Sequence, residues 1–212
     1  MATPLAIFLR QGLGTFFTSY SAEWLDLVDE VFGEHREIIL ADVRRKYPAL
    51  ADDPAADTEL FHLVELDAGL EAVVSYRLQR GIFLRDPRHP ALPYLARLMK
   101  IRTGAEIYYS TEVGVGFLVD HGVGIVLGPR NRIGKNFTIH QGVTLGQRRL
   151  HSPGESITIG DDCTLFAGAK VLGTVRLGDG VRLGANAVLL TDAEPHCTYA
   201  GIPAVKVSGA NT

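Results

Sequence analysis

With 212 residues, 46% of them hydrophobic, the chain is long enough for one or two domains with a proper core. Its 21 Lys and Arg against 24 Asp and Glu give a formal charge of −3, which leaves no basic excess to argue for nucleic acid. The two cysteines lack zinc spacing, the apolar opening Pro4–Leu9 is short, is followed by Arg10 and lacks a basic n-region and a small-residue cleavage site, and no run reaches the roughly 18 apolar residues of a membrane span; together these argue for a cytoplasmic protein without a signal peptide.

Residues 1–20 show no clear element, and Gly12 and Gly14 weaken a long helix there. Ser21 reads as the cap of a helix carrying Trp24, Leu25, Val28, Val31 and Phe32 at helical spacing. A second helix is expected through Ile38, Ile39 and Val43 to Tyr47, ended by Pro48. The polar stretch 51–57 is a turn. One or two helices follow between Thr58 and Gly81, on the pattern Leu60, Leu63, Val64, Leu66, Leu70, Val73, Val74, Leu78. Pro87, Pro90 and Pro93 punctuate a loop, and a last helix runs from Leu95 to Ile101. Residues 1–104 therefore read as a helical domain.

The pattern then changes. Val113, Val119 and Ile125 are six apart; after a two-residue slip, placed at Gly128–Arg132, Ile133, Ile139 and Leu145 keep the same step; after a loop, Ile159, Leu165, Val171, Leu177, Leu183 and Leu189 keep it again. Four residues after these stand second candidates for packing inward: Val123, Phe137, Val143, Cys163, Ala169, Val175, Val181 and Ala187. A period of six is neither helix nor plain strand. Three hexapeptides make one triangular turn of a left-handed parallel β-helix, so the fold class is α+β, with a prism over 105–212. An ordinary parallel sheet would need crossovers for which this stretch has no room. The loop Gln147–Ser156 leaves the regular prism and carries Arg148, Arg149 and His151, which makes it a candidate binding segment.

Three motifs resemble the serine O-acetyltransferase family of hexapeptide acyltransferases: Asp120-His121-Gly122-Val123-Gly124-Ile125-Val126-Leu127-Gly128, Gly142-Val143-Thr144-Leu145-Gly146, and Ala200-Gly201-Ile202-Pro203-Ala204. Asp53-Pro54-Ala55-Ala56-Asp57 and Tyr76-Arg77 are similar to its helical domain, so the likeness spans roughly residues 50–207. The resemblance implies transfer of acetyl from acetyl-CoA to a hydroxyl, with His121 as general base, Glu106 (fifteen residues earlier) as the carboxylate that orients it, and Asp53 and Asp120 as ligands of an acceptor ammonium. An imidazole suits that task at neutral pH. The family's carboxylate-binding Arg-His pair is replaced by Glu155 and Ser156, so Arg148, Arg149 or His151 takes that role, or the acceptor is not free serine. By the same resemblance, CoA lies along Ala167, Gly168, Gly184, Ala185, the Gly201, Pro203, Ala204 turn and Lys206, where small residues permit close backbone approach.

The family's groove lies between prisms, so a homotrimer is expected, with a dimer of trimers as the larger form. The chain ends at Thr212 without the family's docking tail, so no sulfhydrylase complex is expected. Two alternatives stay open: acetylation of a sugar or other non-amino-acid hydroxyl, and a scaffold or a metal-dependent hydratase resembling γ-carbonic anhydrases. For the last, His121, His140 and His151 are the available ligands, at spacings that fit the coil poorly. No metal is expected.

Overall fold

The computed structural model describes residues 22–50, 62–149 and 154–209. Helix α1 is Ala22–Lys46, a single element where the sequence suggests two. Nothing between Phe32 and Ile38 stops a helix except Gly33, whose cost of about 1 kcal/mol is outweighed by the buried stripe Val28, Val31, Ile39, Leu40, Val43. Pro48 opens a short 3-10 turn, Pro48–Leu50, and ends α1 as its missing N–H requires. The expected cap Ser21 lies outside the described residues.

After a helical turn over 62–66, Asp67 breaks the chain and caps helix α2, Ala68–Arg85, its side chain accepting from the Leu70 amide at 3.0 Å. Helix α3, Ala91–Thr103, starts earlier than Leu95 and takes Pro93 into its first turn, where an absent N–H costs nothing. Gly104, at φ 68°, closes it in the left-handed region. None of these helices is long and apolar enough to cross a membrane.

From Glu106 the chain is a parallel β-helix with three faces. The first stacks Glu106–Ile107, Val126–Leu127, Thr144–Gly146, Lys170–Leu172 and Val188–Leu189. The second stacks Glu112–Val113, Arg132–Ile133, Ile157–Ile159 and Val175–Leu177. The third stacks Leu118–Val119, Thr138–Ile139, Thr164–Leu165, Arg182–Leu183 and Cys197–Ala200, and ends in an antiparallel strand, Val205–Gly209. All twelve aliphatics of the six-residue step are buried and form one continuous core with Ile107 and Leu127.

The register moves the two-residue insertion. Ile107 pairs with Leu127, and Leu127 with Leu145. Val119 pairs with Ile139 and Val113 with Ile133. The step from Leu127 to Ile133 is therefore regular, and the extra residues fall between Val119 and Leu127, not at Gly128–Arg132. Ile125 is buried at the position of Val143, Ala169 and Ala187 in the later coils. Val123, expected to pack inward, is instead 63% exposed, because it belongs to the excursion. The other seven second-position side chains are buried as expected.

Helices and prism are bolted together by a buried ion pair. Arg77 donates to Asp42 (2.7 Å) and to the carbonyls of Val113 (2.6 Å) and Gly114 (2.7 Å). Asp42 Oδ1 accepts from the Gly116 and Phe117 amides, both at 2.8 Å. The Tyr76 hydroxyl donates to Thr111 O at 2.9 Å. These partners satisfy charges that burial would otherwise make costly.

Candidate active site

The excursion between Val119 and Leu127 turns His121 out of the prism. His121 has φ 65°, Gly122 φ 80° and Gly124 φ 75°. Three left-handed residues in four make a sharp bulge, and His is among the side chains that tolerate such a φ. Backbone bonds fix it: Gly122 N donates to Asp120 O at 2.9 Å, and Gly124 N to Gly104 O at 2.9 Å. The His121 side chain is 72% exposed at the edge where the third face turns into the first. Its Nε2 lies 3.7 Å from Asp120 Oδ2, too long for a direct hydrogen bond.

Beneath the bulge sits a cluster that the sequence did not announce. Lys46 Nζ donates to Val119 O at 2.8 Å and pairs with Asp67 Oδ2 at 2.6 Å. The Tyr47 hydroxyl donates to the same carboxylate oxygen. Burial and the Asp67 contact push the Tyr47 phenol up to about 12, and the nearby Asp120 charge adds to it. Burial opposes the charged form of Asp67, but Lys46, Tyr47 and the Leu70 amide outweigh it and hold the carboxyl below the usual range. The C-terminus of α1 and the cap of α2 thus grip the residue just before Asp120.

The remaining expected residues divide between places. Ala167, Gly168, Gly184, Ala185 and Gly201 follow third-face strands, so they climb the same edge as His121, coil above coil. Gly168 is required at its place by the packing of the next coil: it has φ 72°, and a Cβ on it would meet Asn186 Oδ1 at 2.1 Å. Pro203 is exposed in the turn that follows, Ala204 is buried, and Lys206 pairs with Glu194 at 2.6 Å. Arg148 and Arg149 are exposed but leave the prism where the first face turns into the second, a different edge of the same subunit. Glu155 closes the base of that loop, accepting from the Arg148 amide at 2.7 Å. The Glu106 carboxylate is held by Lys100, not by His121. Asp53 and His151 lie outside the described residues. Among the described residues no group of three or more His, Cys, Asp or Glu is placed to hold a metal ion.

His140, weighed in the sequence only as a metal ligand, stands directly above Asp120, with Nδ1 3.2 Å from Asp120 Oδ2. Once the strand register is known it is the next rung of the edge, but its twenty-residue separation from Asp120 follows no motif.

What this edge offers is an exposed imidazole beside a carboxylate, at the foot of a column of small residues. Comparison with known proteins gives the same direction. Residues 156–191 match the family described as bacterial transferase hexapeptide (six repeats). A serine acetyltransferase of Bacillus pumilus is 37% identical over 155 residues, covering 71% of this chain and 69% of that protein. One from Helicobacter pylori is 37% identical over 159 residues, covering 75% and 92%. Among solved structures, Neisseria gonorrhoeae serine acetyltransferase superposes with a TM-score of 0.76 at 28% identity, covering 89% of this chain and 71% of that one. A soybean serine acetyltransferase complexed with serine gives 0.74 at 30% identity, covering 86% and 74%. A serine acetyltransferase in complex with CoA gives 0.69 at 28% identity, covering 86% and 75%.

Proposed function

The chain belongs to the serine acetyltransferase family, and on that premise we propose that it transfers acetyl from acetyl-CoA to the hydroxyl of serine or a serine-like amino alcohol, with His121 as general base. The observation that carries the reading is the two-residue bulge, which turns one imidazole outward on the edge lined by the small-residue column. His121 takes the hydroxyl proton as the oxygen attacks the thioester carbonyl. The tetrahedral adduct collapses, the C–S bond breaks, and the proton passes to the departing thiolate. Transfer is direct: both cysteines are buried, and burial pushes the Cys163 thiol up to about 11, away from a nucleophilic thiolate. Two reduced, buried cysteines also fit a cytoplasmic protein.

Asp120 receives the acceptor's ammonium, with Asp53 as its partner. CoA runs along Ala167, Gly168, Gly184 and Ala185 toward the Gly201–Ala204 turn and Lys206. Arg148 and Arg149, on another edge, reach the acceptor carboxylate of a neighbouring subunit, so the working unit is a homotrimer with each site built from two prisms. Glu106 is assigned to the far nitrogen of His121, for which its carboxylate must leave Lys100.

Release of free thiol from acetyl-CoA against serine, homoserine, other amino alcohols and sugars tests the reading. Turnover with serine or a close amino alcohol is expected. Turnover confined to sugars would overturn the acceptor class.

A further inference from the structure

His140 occupies the rung between the reacting pair and the CoA column. The Asp120 amide donates to Ile139 O at 2.8 Å, and the His140 amide to Leu165 O at 3.1 Å, so Asp120, His140 and Phe166 are successive rungs of one edge. His140 is the more sheltered of the two imidazoles, 24% exposed, and its Nδ1 is closer to Asp120 Oδ2 than is His121 Nε2, 3.2 against 3.7 Å. Its ring lies on Phe166 with centroids 5.3 Å apart and planes 17° from parallel. The Arg182 guanidinium rests 5.5 Å from the centroid of that same Phe166 ring. Among the described residues, the two imidazoles are the side chains within ion-pair distance of the Asp120 carboxylate.

We propose that His140 is a positioning residue of the acetyl-transfer site: clamped on Phe166, it presents Nδ1–H to Asp120 Oδ2 and fixes the carboxylate toward His121 and the acceptor's ammonium. The proposal rests on the reading of Asp120 and His121 given above. A carboxylate that is 39% exposed turns freely about two side-chain torsions and exchanges partners with water. A ring stacked on an aromatic plane favours one orientation, and its Nδ1–H restricts that freedom. With Oδ2 facing both imidazoles, Oδ1 is left for the acceptor. His140 thus acts on the amino end of the acceptor and leaves the thioester end alone, which separates its effect from that of a residue in the CoA column.

The test has two arms. In the first, His140→Phe keeps a ring over Phe166 and removes the donor. The acceptor kcat/KM is expected to fall about tenfold to a hundredfold, the range for one lost contact to a charged group, with the acetyl-CoA KM and Tm unchanged. His140→Asn, whose amide nitrogen takes the place of Nδ1, recovers part of the loss. An unchanged acceptor kcat/KM in His140→Phe, or equal losses for both substrates with a lowered Tm, would overturn the proposal. The second arm does not depend on activity. Long-range proton–nitrogen spectra of histidine-labelled protein should show a proton on Nδ1 of His140, whether the ring is neutral or charged; a neutral ring protonated only on Nε2 contradicts the contact. A wild type inactive toward every amino alcohol would sink the functional reading instead, and the spectra would still decide the contact.

Discussion

A side chain on Gly122 would begin 3.2 Å from the Cα of Gly69. The bulge that carries His121 and the first turn of α2 therefore meet through bare backbone. A Cβ on Gly69 would fall 2.6 Å from the Val119 carbonyl oxygen, which is backbone and has no room to retreat. Gly69→Ala should cost about 1–3 kcal/mol, as overpacking does, and lower turnover by shifting the segment that holds His121. Gly33→Ala is the control. Nothing lies within 4 Å of its new methyl, and a helix interior prefers Ala, so Tm should rise by the equivalent of about 0.4–1 kcal/mol. Thermal melts of both variants with a thiol-release assay check the pair; equal effects would show that the close approach does not matter.

Asp67 gives a pH signature. Its carboxyl is held below the ordinary range by Lys46, Tyr47 and the Leu70 amide, against burial. A depressed carboxyl contributes stability that is fully present above its unfolded value near about 4 and is lost as pH falls through the folded value. The Tm difference between wild type and Asp67→Asn should therefore hold steady above about pH 4 and shrink below it. A difference independent of pH down to the acid limit contradicts this assignment.

His121 and the Arg148–Arg149 loop leave the prism at different edges. If one site uses both, two subunits share it. Arg148→Ala with Arg149→Ala should raise the acceptor KM and leave the acetyl-CoA KM unchanged. Mixed oligomers of that variant with His121→Ala should recover activity that neither has alone, because some interfaces then join an intact imidazole to an intact loop. No recovery would mean that each subunit carries its own site.

Glu106→Gln distinguishes two partners for one carboxylate. If Glu106 orients His121 during turnover, kcat should fall by about tenfold or more while substrate affinities hold. If it only pairs with Lys100, kinetics should not change, since an exposed pair contributes little.

The six-residue step was legible because twelve buried aliphatics sit on it. The place of the insertion was not, and the cause is geometric. Each face buries two positions, two residues apart, such as Ile125 and Leu127. A two-residue insertion slides one inward position onto the other, so a hydrophobic count keeps its rhythm past the true break. Only the strand register locates it: Ile107 pairs with Leu127 and Val119 with Ile139, and the two coils overlap between Val119 and Leu127. The continuity of α1 was hidden by Gly33, whose local cost is outweighed by packing on α2. The contact of His140 with Asp120 was hidden too: it joins adjacent coils, and no motif spans a coil. The Lys46–Asp67–Tyr47 cluster joins elements whose relative placement is a tertiary fact. The Asp120-His121 pair stood out in sequence because the contiguous motif around it, Asp120 to Gly128, resembles the family's.

The central claim is that His121 removes the acceptor proton. Steady-state thiol release by His121→Ala, with serine or the best amino alcohol as acceptor, measures it most directly. The account predicts a fall in kcat of about 10²–10⁴, with Tm and CoA binding as in the wild type. Turnover within a few-fold of wild type would contradict it.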